Sequence, residues 1–593
     1  MAIDVSAVAR VLGIDVQYKD LRGGQVLYLP QRVAVLAQGS SDVAYSAEKF
    51  TATTAGQVGA RLGYGSPAHN IARQLFPANG DGIGTIPATF YPLAAPASAT
   101  PATGSITPAG TQTESGAYRV LANNIRSDGF VIKKDATVSD VCGAIFTAIN
   151  AILEMPVKAT LAYGTLTSSP GPTNVGDGTV TGLSLTGTPA SGTYALTCTS
   201  AVVDGGVFSL VDPSGNAVGG PITIPPGPGG SITVDRNGLE FTLTDGAADF
   251  AVGDSFAINV PATAVTIVSK WAGKSANGLN LVVSGPSLGV TFTVVQPTGG
   301  LLNPDVTPAL AQFGTVWETM VINALDVGDT DALDAIRDHG EGRWGQTVRK
   351  FYVAFVGNTA PTVAEATAVS SVRQTDRINA QLVSPGSTDL PFVVAARQVA
   401  RIVKMANNNP PTDYGAQKAT GLVPGPDGAQ WTYPERDLAV KAGSSTVEVK
   451  DGVVNISDVV TFYHPTGEDP PAYRYVVDIV KLQNIVFNLD YEFSKVEWNG
   501  APLIPDDQAT VNPAARKPRS AKAAVCAIID SLALEAIIAN PEAAKASAVA
   551  WIDTMNPKRL DITVTVQLSG NLNIISVDLA FGFMFGVNVG LAA

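Results

Sequence analysis

The chain has 593 residues, 45% of them hydrophobic, and a net charge of −13. The length indicates about three to four domains, the 59 glycines and 39 prolines favour strands and turns over long helical bundles, and the acidic balance disfavours non-specific binding to nucleic acid. The three cysteines are too scattered for a disulfide framework or a zinc site, so we expect small buried side chains at Cys142, Cys198 and Cys526. No secretory signal is predicted, because no basic region followed by an apolar one stands at the start.

Residues 1–30 are predicted to form an N-terminal linking arm. Ile14, Val16 and Tyr18 alternate with polar residues until a glycine pair interrupts the pattern. This period of two is typical of a strand with one apolar face.

Residues 31–93 are predicted to form a core segment. Ser66 should cap a helix in it, with Pro67 at the first helical position. The predicted elements are a strand at 33–36, a helix at 68–76 and a strand at 86–93. The following residues, 94–117, are rich in alanine, proline, threonine and serine, which predicts a mobile loop or an irregular hairpin.

Residues 94–164 and 263–300 are predicted to form one β-β-α-β domain. Its strands at 118–125 and 130–133 precede a helix at 141–154 and a strand at 157–163. The expected hairpin partner of that last strand, 264–271, follows only after about 100 residues. Short alternating runs separated by turns fill the interval, so residues 165–262 are predicted to form a β-sandwich inserted into a surface loop.

Residues 301–440 alternate predicted strands and helices, which indicates an α/β domain. Its predicted elements are helices at 303–313, 330–340, 362–379 and 391–407, strands at 320–324 and 351–356, and a proline-rich loop at 408–440. Residues 441–583 are predicted to form a C-terminal core. Its predicted elements are a hairpin around Asp451-Gly452, a strand at 459–463 and helices at 473–493 and 522–539.

The C-terminal residues alternate in two runs, 560–568 and 575–591, with a turn at 569–571 between them. The alternation predicts strands, and the turn predicts that they pair as a hairpin. The second run has 17 residues and the first has nine, so an apolar strand end lacks a partner. Either residues 584–593 form a C-terminal linking arm that completes a sheet in a neighbouring subunit, or the overhang pairs within its own chain. The residues predicted for inter-subunit strand links are Ile14, Val16, Tyr18, Phe583, Phe585, Val587, Val589 and Leu591.

Motifs typical of catalysis or ligand binding do not match. Lys274-Ser275 resembles the end of a phosphate-binding loop, but Val268 stands where its first glycine is required. The aspartates at 326, 329, 331 and 334 lack the glycine and the closing glutamate of a calcium loop, so helix capping is predicted for them. The strict alternation and the polar Asn573, Asp578 and Asn588 argue against a membrane span near the C-terminus. We predict that the protein is not an enzyme and holds no cofactor and no metal.

Six short motifs follow one another along the chain. They are Gly65-Ser-Pro-Ala-His-Asn-Ile-Ala-Arg73, the unit Val138–Pro156 before a strand, Lys270-Trp-Ala-Gly-Lys-Ser-Ala-Asn-Gly278, Asn303-Pro-Asp305, Ser445-Thr-Val-Glu-Val449 and Asn556-Pro-Lys-Arg-Leu-Asp561. In this order they resemble the contractile-tail sheath proteins of Mu-like bacteriophages, the myovirus tail sheath family. The resemblance covers most of residues 30–100, 118–163 and 264–593, and leaves the predicted sandwich outside it.

The resemblance implies an α+β / α/β multidomain fold. It would combine a sheath core built from N- and C-terminal segments, the β-β-α-β domain, the inserted all-β sandwich on the outer surface, and terminal arms that donate strands. The implied function is that of a structural subunit that forms stacked hexameric rings around a tail tube and contracts to drive the tube through the host envelope.

The resemblance also implies the partners and the location. The partners would be further copies in hexameric rings and a helical stack, the tail tube protein, and the baseplate and tail terminator proteins, with no nucleic acid and no membrane insertion. The location would be the tail sheath of the virion, and the host cytoplasm during assembly. Two other functions stay open: a tail tube or baseplate protein that carries a β-sandwich for binding a host surface, and a cell-surface β-domain protein.

The densest basic cluster precedes the last predicted helix and consists of Arg516, Lys517, Arg519 and Lys522. Positive charge is unfavourable at a helix N-terminus, which suggests an external partner. Because the resemblance implies that the C-terminal domain touches the tail tube, these residues are predicted to contact an acidic tube surface. A solvated loop is the alternative.

Overall fold

The computed structural model describes residues 27–468, 471–575 and 577–579, which pack into two units. The larger unit consists of Pro30–Met405 and Tyr414–Val476. The smaller unit consists of the described residues of Met1–Leu29, Ala406–Asp413 and Val477–Ala593. The fold is mixed α+β with several separate sheets, as predicted at this coarse level.

The larger unit begins with a buried strand and two short helices. Its first elements are β1 (Val33–Gln38), β2 (Phe50–Ala52), α1 (Ala55–Leu62), α2 (Pro67–Leu75) and β3 (Ala88–Leu93). The Ser66 hydroxyl accepts a hydrogen bond from the His69 backbone N–H at 3.2 Å, and Pro67 occupies the first helical position. The predicted start of this helix is therefore confirmed. Ser66 accepts one of the unpaired backbone N–H groups of the first turn, and Pro67 has no N–H that needs an acceptor.

The next segment contains one strand that the sequence analysis missed. Its elements are β4 (Pro101–Ala109), β5 (Gly116–Ala122), β6 (Ile125–Arg126), β7 (Phe130–Ile132), α3 (Val138–Asn150) and β8 (Val157–Tyr163). The prediction of a loop at 94–117 is wrong for β4, whose residues alternate between buried and more exposed positions. Its buried positions include Ala102, Gly104 and Ile106. Small inward-facing residues hide the apolar alternation on which the prediction depends.

Eight strands follow in two antiparallel sheets. They are β9 (Thr167–Pro170), β10 (Thr179–Leu185), β11 (Gly192–Val202), β12 (Gly205–Val211), β13 (Ile222–Ile224), β14 (Ser231–Arg236), β15 (Leu239–Thr244) and β16 (Ser255–Val260). The strand orders are β10-β15-β14 and β13-β12-β11-β16-β9. Both sheets contribute to one buried apolar cluster that includes Phe208, Phe241 and Ile258. We refer to residues 167–260 as the β-sandwich.

The chain then returns to the sheet that it left at β8. The returning strands are β17 (Ala262–Ala272), β18 (Leu281–Ser284) and β19 (Thr291–Thr298). β17 pairs antiparallel with β8, with Tyr163 opposite Ala262, so the predicted pairing of these two segments is confirmed. One sheet has the order β19-β4-β17-β8, and another has the order β18-β5-β6 with β7 also on β5.

The last part of the larger unit completes a mostly parallel sheet. Its elements are α4 (Thr307–Ala311), β20 (Met320–Asn323), α5 (Thr330–Trp344), β21 (Val353–Asn358), α6 (Val363–Thr367), β22 (Asn379–Val383), α7 (Pro391–Asn408), α8 (Tyr433–Lys441), β23 (Thr446–Lys450) and β24 (Val453–Asp458). The sheet order is β2-β3-β1-β20-β21-β22, and only the edge pair β2–β3 is antiparallel. The predicted hairpin at Asp451-Gly452 is confirmed by β23 and β24.

Three predictions in this region are wrong. The helix predicted at 362–379 ends at Thr367, and a short 3-10 turn at Ser370–Val372 follows it. The Asp376 carboxylate then accepts the backbone N–H groups of Ile378 and Asn379, at the start of β22. The loop predicted at 408–440 contains the start of α8, which a capping box between Thr432 and Glu435 initiates. The strand predicted at 459–463 is a single bridge, between residues 460 and 475.

The smaller unit packs two long helices and two short ribbons around one core. Its elements are α9 (Val476–Phe493), α10 (Pro518–Leu534), β25 (Ile538–Ala539), α11 (Pro541–Ser547), β26 (Val549–Ile552), β27 (Leu560–Thr563) and β28 (Gln567–Leu568). The core includes Ile485, Val525, Ile529, Leu532 and Ile537. α10 begins four residues before the predicted helix, because Pro518 forms its first position.

The predicted terminal hairpin is wrong for the residues that the structure describes. The run 560–568 divides into β27, which pairs with β26, and β28, which pairs with β25. Residues 549–552 lie closer in sequence and offer an earlier partner, which the sequence analysis did not identify as a strand. Neither 571–575 nor 577–579 forms a strand, and most of the second predicted run lies outside the described residues.

Candidate assembly surface

A polar stripe runs along one face of helix α9, in the smaller unit. Lys481, Asn484 and Asn488 are three and four residues apart, a spacing that places them on the same side of a helix. All three side chains are buried. Buried polar groups require hydrogen-bond partners, and the partners here are segments next to the two ends of the chain.

The N-terminal partner is the backbone of residues 27–29. The Asn488 amide accepts from the Leu27 N–H at 3.2 Å and donates to the Leu27 carbonyl at 2.9 Å. The Asn484 side-chain oxygen accepts from the Leu29 N–H at 2.8 Å. These amides therefore bind the extended backbone much as a neighbouring strand would. Tyr28, between Leu27 and Leu29 in sequence, packs against the core of the smaller unit, and its hydroxyl donates a hydrogen bond to Glu535. Burial together with the Glu535 carboxylate raises the pKa of Tyr28 to about 12.

The C-terminal partner is the segment that follows β28. The Lys481 ammonium donates to the Ser569 carbonyl at 2.6 Å, to the Asn571 side-chain oxygen at 2.7 Å and to Asp478 at 3.0 Å. These contacts use all three N–H groups of the ammonium. The Asn571 amide in turn donates to the Pro411 carbonyl at 2.7 Å. Helix α9 thus fixes the chain where it leaves the core.

Beyond this anchor the chain exposes apolar side chains. Leu572, Ile574, Ile575, Val577 and Leu579 are between 74% and 80% exposed. We refer to residues 572–575 and 577–579 as the apolar tail segment. A contiguous run of exposed apolar side chains indicates a contact with another molecule. The predicted link residues at positions 14, 16, 18, 583, 585, 587, 589 and 591 all lie outside the described residues.

The ribbon of β26 and β27 adds a second exposed feature. Within the described ranges these two strands pair only with each other, so each has an edge with free backbone groups. Val549 and Trp551 of β26 are 54% and 42% exposed. An open edge with exposed apolar side chains can accept a strand from another chain.

A curated protein is similar to this chain in sequence. The Mu-like prophage FluMu tail sheath protein of Haemophilus influenzae is 22% identical over 335 residues, which cover 54% of this chain and 67% of that protein. The chain is a relative of a tail sheath protein. The resemblance seen in the sequence motifs is confirmed. No protein-family model matches the chain.

Two solved structures are also similar to the chain. The sheath tail protein of Desulfitobacterium hafniense is 12% identical, with 94% of this chain and 100% of that chain covered and a TM-score of 0.40. The sheath tail protein Lin1278 of Listeria innocua is 11% identical, with 92% and 93% covered and a TM-score of 0.40.

A tail sheath protein is a structural component of a phage tail, so this relationship supports a structural, non-enzymatic role. The predicted capping role of the aspartates at 326–334 is confirmed for Asp329, which accepts from the Ala332 N–H at 3.1 Å at the start of α5. Cys142 and Cys198 are buried as expected, whereas Cys526 is only partly buried. None of the helices in the described ranges combines the length and apolar character needed to cross a bilayer.

The four predicted tube-contact residues fall into two pairs. Arg516 lies 3.3 Å from the Glu497 carboxylate and stacks near the Trp498 ring, and the Lys517 ammonium donates to the carbonyls of Asp506 and Gln508. Arg516 and Lys517 therefore stabilise their own loop.

The other pair lies on helix α10. Arg519 is exposed and Lys522 is half-buried, and neither side chain forms an ion pair within the described part of the chain. The Asp506 carboxylate accepts from the Arg519 backbone N–H at 2.9 Å and thus supplies negative charge at this helix N-terminus. Because of this contact the basic cluster has less need of an external partner, and only Arg519 and Lys522 stay available for one.

The sequence analysis missed the polar stripe of α9. The available signal was three polar residues at helical spacing within a segment that is otherwise rich in valine, isoleucine and leucine. Such a stripe indicates buried hydrogen bonds to another segment, although the spacing does not identify that segment.

Proposed function

We propose that the protein is the structural subunit of a contractile phage tail sheath. In this proposal the subunits polymerise as stacked hexameric rings around a tail tube, and contraction drives the tube through the host envelope. The observation that carries the proposal is the similarity to a Mu-like prophage tail sheath protein over 335 residues. The protein would assemble in the host cytoplasm and remain in the virion tail, in contact with the tube, baseplate and tail terminator proteins.

Subunits would be linked by strand addition through the two terminal arms, residues 1–30 and 584–593. The apolar tail segment supports this proposal, because its side chains have high exposure directly beyond a firmly anchored base. The open edges of the β26–β27 ribbon would accept the donated strands. Each added strand would contribute backbone hydrogen bonds and would cover apolar side chains on both partners.

The domain division proposed from the sequence would serve this assembly. The core segment at 31–93, the α/β domain at 301–440 and the C-terminal core at 441–583 would form the sheath body. The β-sandwich would lie on the outer surface of the sheath, because the chain enters and leaves it through the paired strands β8 and β17.

Electron microscopy of the purified full-length protein tests the proposed function. We expect long hollow tubes of sheath width, since a sheath subunit polymerises with copies of itself. Discrete monomers or trimers under all assembly conditions would contradict the proposal and favour a baseplate protein or a host-binding protein.

The double substitution Arg519→Gln and Lys522→Gln should weaken assembly around tail tubes and leave empty sheath tubes unaffected. Exposed ion pairs each contribute about 0–1 kcal/mol and are screened by salt, so the effect should be largest at low ionic strength. Co-sedimentation of the protein with purified tail tubes measures it. Lys133→Gln with Lys134→Gln, an exposed basic pair in the larger unit, is the matched control. Equal loss of both kinds of assembly would show that the pair supports the sheath lattice and not the tube contact.

A further inference from the structure

Three carboxylates from two loops meet at one end of the β-sandwich. Asp204 lies in the turn between β11 and β12, Asp245 directly follows β15, and Asp249 lies in the loop before β16. One carboxylate oxygen from each residue lies within 4.8 Å of the corresponding oxygens of the other two. No metal site is predicted from the sequence, where the only aspartate cluster considered is the one at 326–334.

Asp245 is the unusual member of this acidic cluster. Asp245 is only 4% exposed, and neither of its carboxylate oxygens has a hydrogen-bond partner of good geometry among the described residues. Burial raises the pKa of Asp245, the adjacent Gly246 N–H lowers it, and the carboxylates of Asp249, Asp204 and Asp177 raise it. A buried carboxylate without a partner is strongly unfavourable in an apolar protein interior. The site therefore lacks a positive charge that would balance it.

The loop that carries Asp245 and Asp249 is held rigidly. Phe250 is inserted into the sandwich core, where it packs edge-to-face against Phe208 with 4.8 Å between the two ring centroids. The Asp254 carboxylate accepts the backbone N–H groups of Val175, Gly176 and Ala251 at 2.8–2.9 Å. These contacts fix the backbone on both sides of the site.

The carboxylates are also positioned by contacts within the site. One oxygen of Asp249 accepts from the Asp204 N–H at 2.9 Å, and one oxygen of Asp177 accepts from the Ala248 N–H at 2.8 Å. A Cβ atom at position 246 would lie 2.0 Å from that Asp177 oxygen, so only glycine allows the fourth carboxylate to approach the loop this closely. These backbone contacts position the half-buried Asp204 and the exposed Asp249 beside the buried Asp245.

We propose that Asp204, Asp245 and Asp249 bind a calcium ion. Calcium binds oxygen ligands at about 2.3–2.6 Å, so oxygens that lie within about 5 Å of each other can share one ion. Magnesium demands a tighter octahedron and retains several waters, which suits a site with three protein carboxylates less well. Residues 165–262 contain eight acidic residues and one basic residue, Arg236, hence a net charge of −7 that attracts a divalent cation.

The bound ion would connect the β11–β12 turn with the β15–β16 loop at this end of the β-sandwich. It would replace the repulsion between the carboxylates with shared coordination, and the folded state would gain stability in proportion to the logarithm of the calcium concentration. This inference does not depend on the sheath function, since it concerns only the sandwich.

Isothermal titration of the full-length protein with CaCl₂, after treatment with EDTA, tests the proposal. We expect one site per chain with a dissociation constant of about 10⁻⁴–10⁻³ M, as in many surface calcium modules. Asp249→Asn should weaken binding at least about tenfold, because the ligand charge decreases. Asp235→Asn is the matched control, since this exposed aspartate in β14 lies opposite Glu240 in the β14–β15 ladder, distant from Asp245 at the other end of β15.

Thermal unfolding supplies a second test, because Asp245→Asn should have opposite effects on the two stabilising contributions measured in EDTA and in CaCl₂. In EDTA, Asp245→Asn should raise the melting temperature, because it removes a buried charge that is repelled by its neighbours. In CaCl₂ at about 5 mM, the wild-type protein and Asp235→Asn should gain a few degrees, and Asp245→Asn should gain nothing. Absence of calcium binding by the wild-type protein, binding of MgCl₂ alone, or an equal calcium response in Asp245→Asn would overturn the proposal.

Discussion

Deletion of Met584–Ala593 is expected to leave a folded subunit that no longer polymerises. Among the described residues, the contacts that anchor the C-terminal chain to the smaller unit end at Asn571, and the apolar tail segment beyond it has high exposure. We therefore expect the last ten residues to serve the proposed link to a neighbour and not the fold of the subunit. Electron microscopy should show loss of tubes, and circular dichroism should show an unchanged melting temperature.

Single substitutions provide a matched control for this deletion. Val587 and Asn588 are adjacent in sequence but belong to opposite faces of the predicted strand. Val587→Asp would place a charge on the apolar face and should prevent assembly, and Asn588→Asp should be tolerated. Normal tubes from the truncated protein would exclude strand donation by the C-terminal arm.

Replacement of Lys481 by methionine should destabilise the smaller unit by about 2–4 kcal/mol, because it keeps the side-chain volume but leaves three partly buried acceptors without their donor. The acceptors are the Ser569 carbonyl, the Asn571 side-chain oxygen and Asp478. Urea denaturation measures the change, and faster proteolysis after residue 569 should accompany it. Lys495→Met removes an ion pair with Glu492 whose lysine is 43% exposed, so its effect should stay below about 0.5 kcal/mol. Equal stability of the two variants would contradict an anchoring role for Lys481.

Much of the fold could be predicted where a local signal determines the structure. The cap at Ser66, the turn at Asp451-Gly452 and the pairing of β8 with β17 across the β-sandwich were predicted from turn chemistry and alternation. Local chemistry is sufficient in these places because the same residues that break or cap the chain also satisfy its backbone groups.

The incorrect predictions share a different physical cause. The buried face of β4 consists largely of small residues, so its alternation carries no apolar signal. The run 560–568 shows a strong strand signal, but the signal does not say which strand is the partner, and residues 549–552 provide β26. Partner choice depends on tertiary packing, which a single sequence does not contain.

The two candidate sites were hidden for the same reason. Lys481 and Asn571 are 90 residues apart, and Asp204 and Asp245 belong to different turns of the β-sandwich. Neither pair forms a motif in the sequence. Only the folded chain shows that the buried Lys481 ammonium has three acceptors, and that the Asp245 carboxylate has no well-aligned donor among the described residues.

The shared anchor of both chain ends on α9 has a mechanical consequence. The binding points at Lys481 and Asn488 are seven residues apart, which is about 10 Å along a helix. If neighbouring subunits pull on the two arms in opposite directions, the tension is balanced across this short length of helix, and the long stretch of chain between Leu29 and Val477 carries almost none of it. In the proposed sheath we therefore expect the smaller unit to transmit load between neighbouring subunits as a rigid coupling, without stretching the chain of the larger unit.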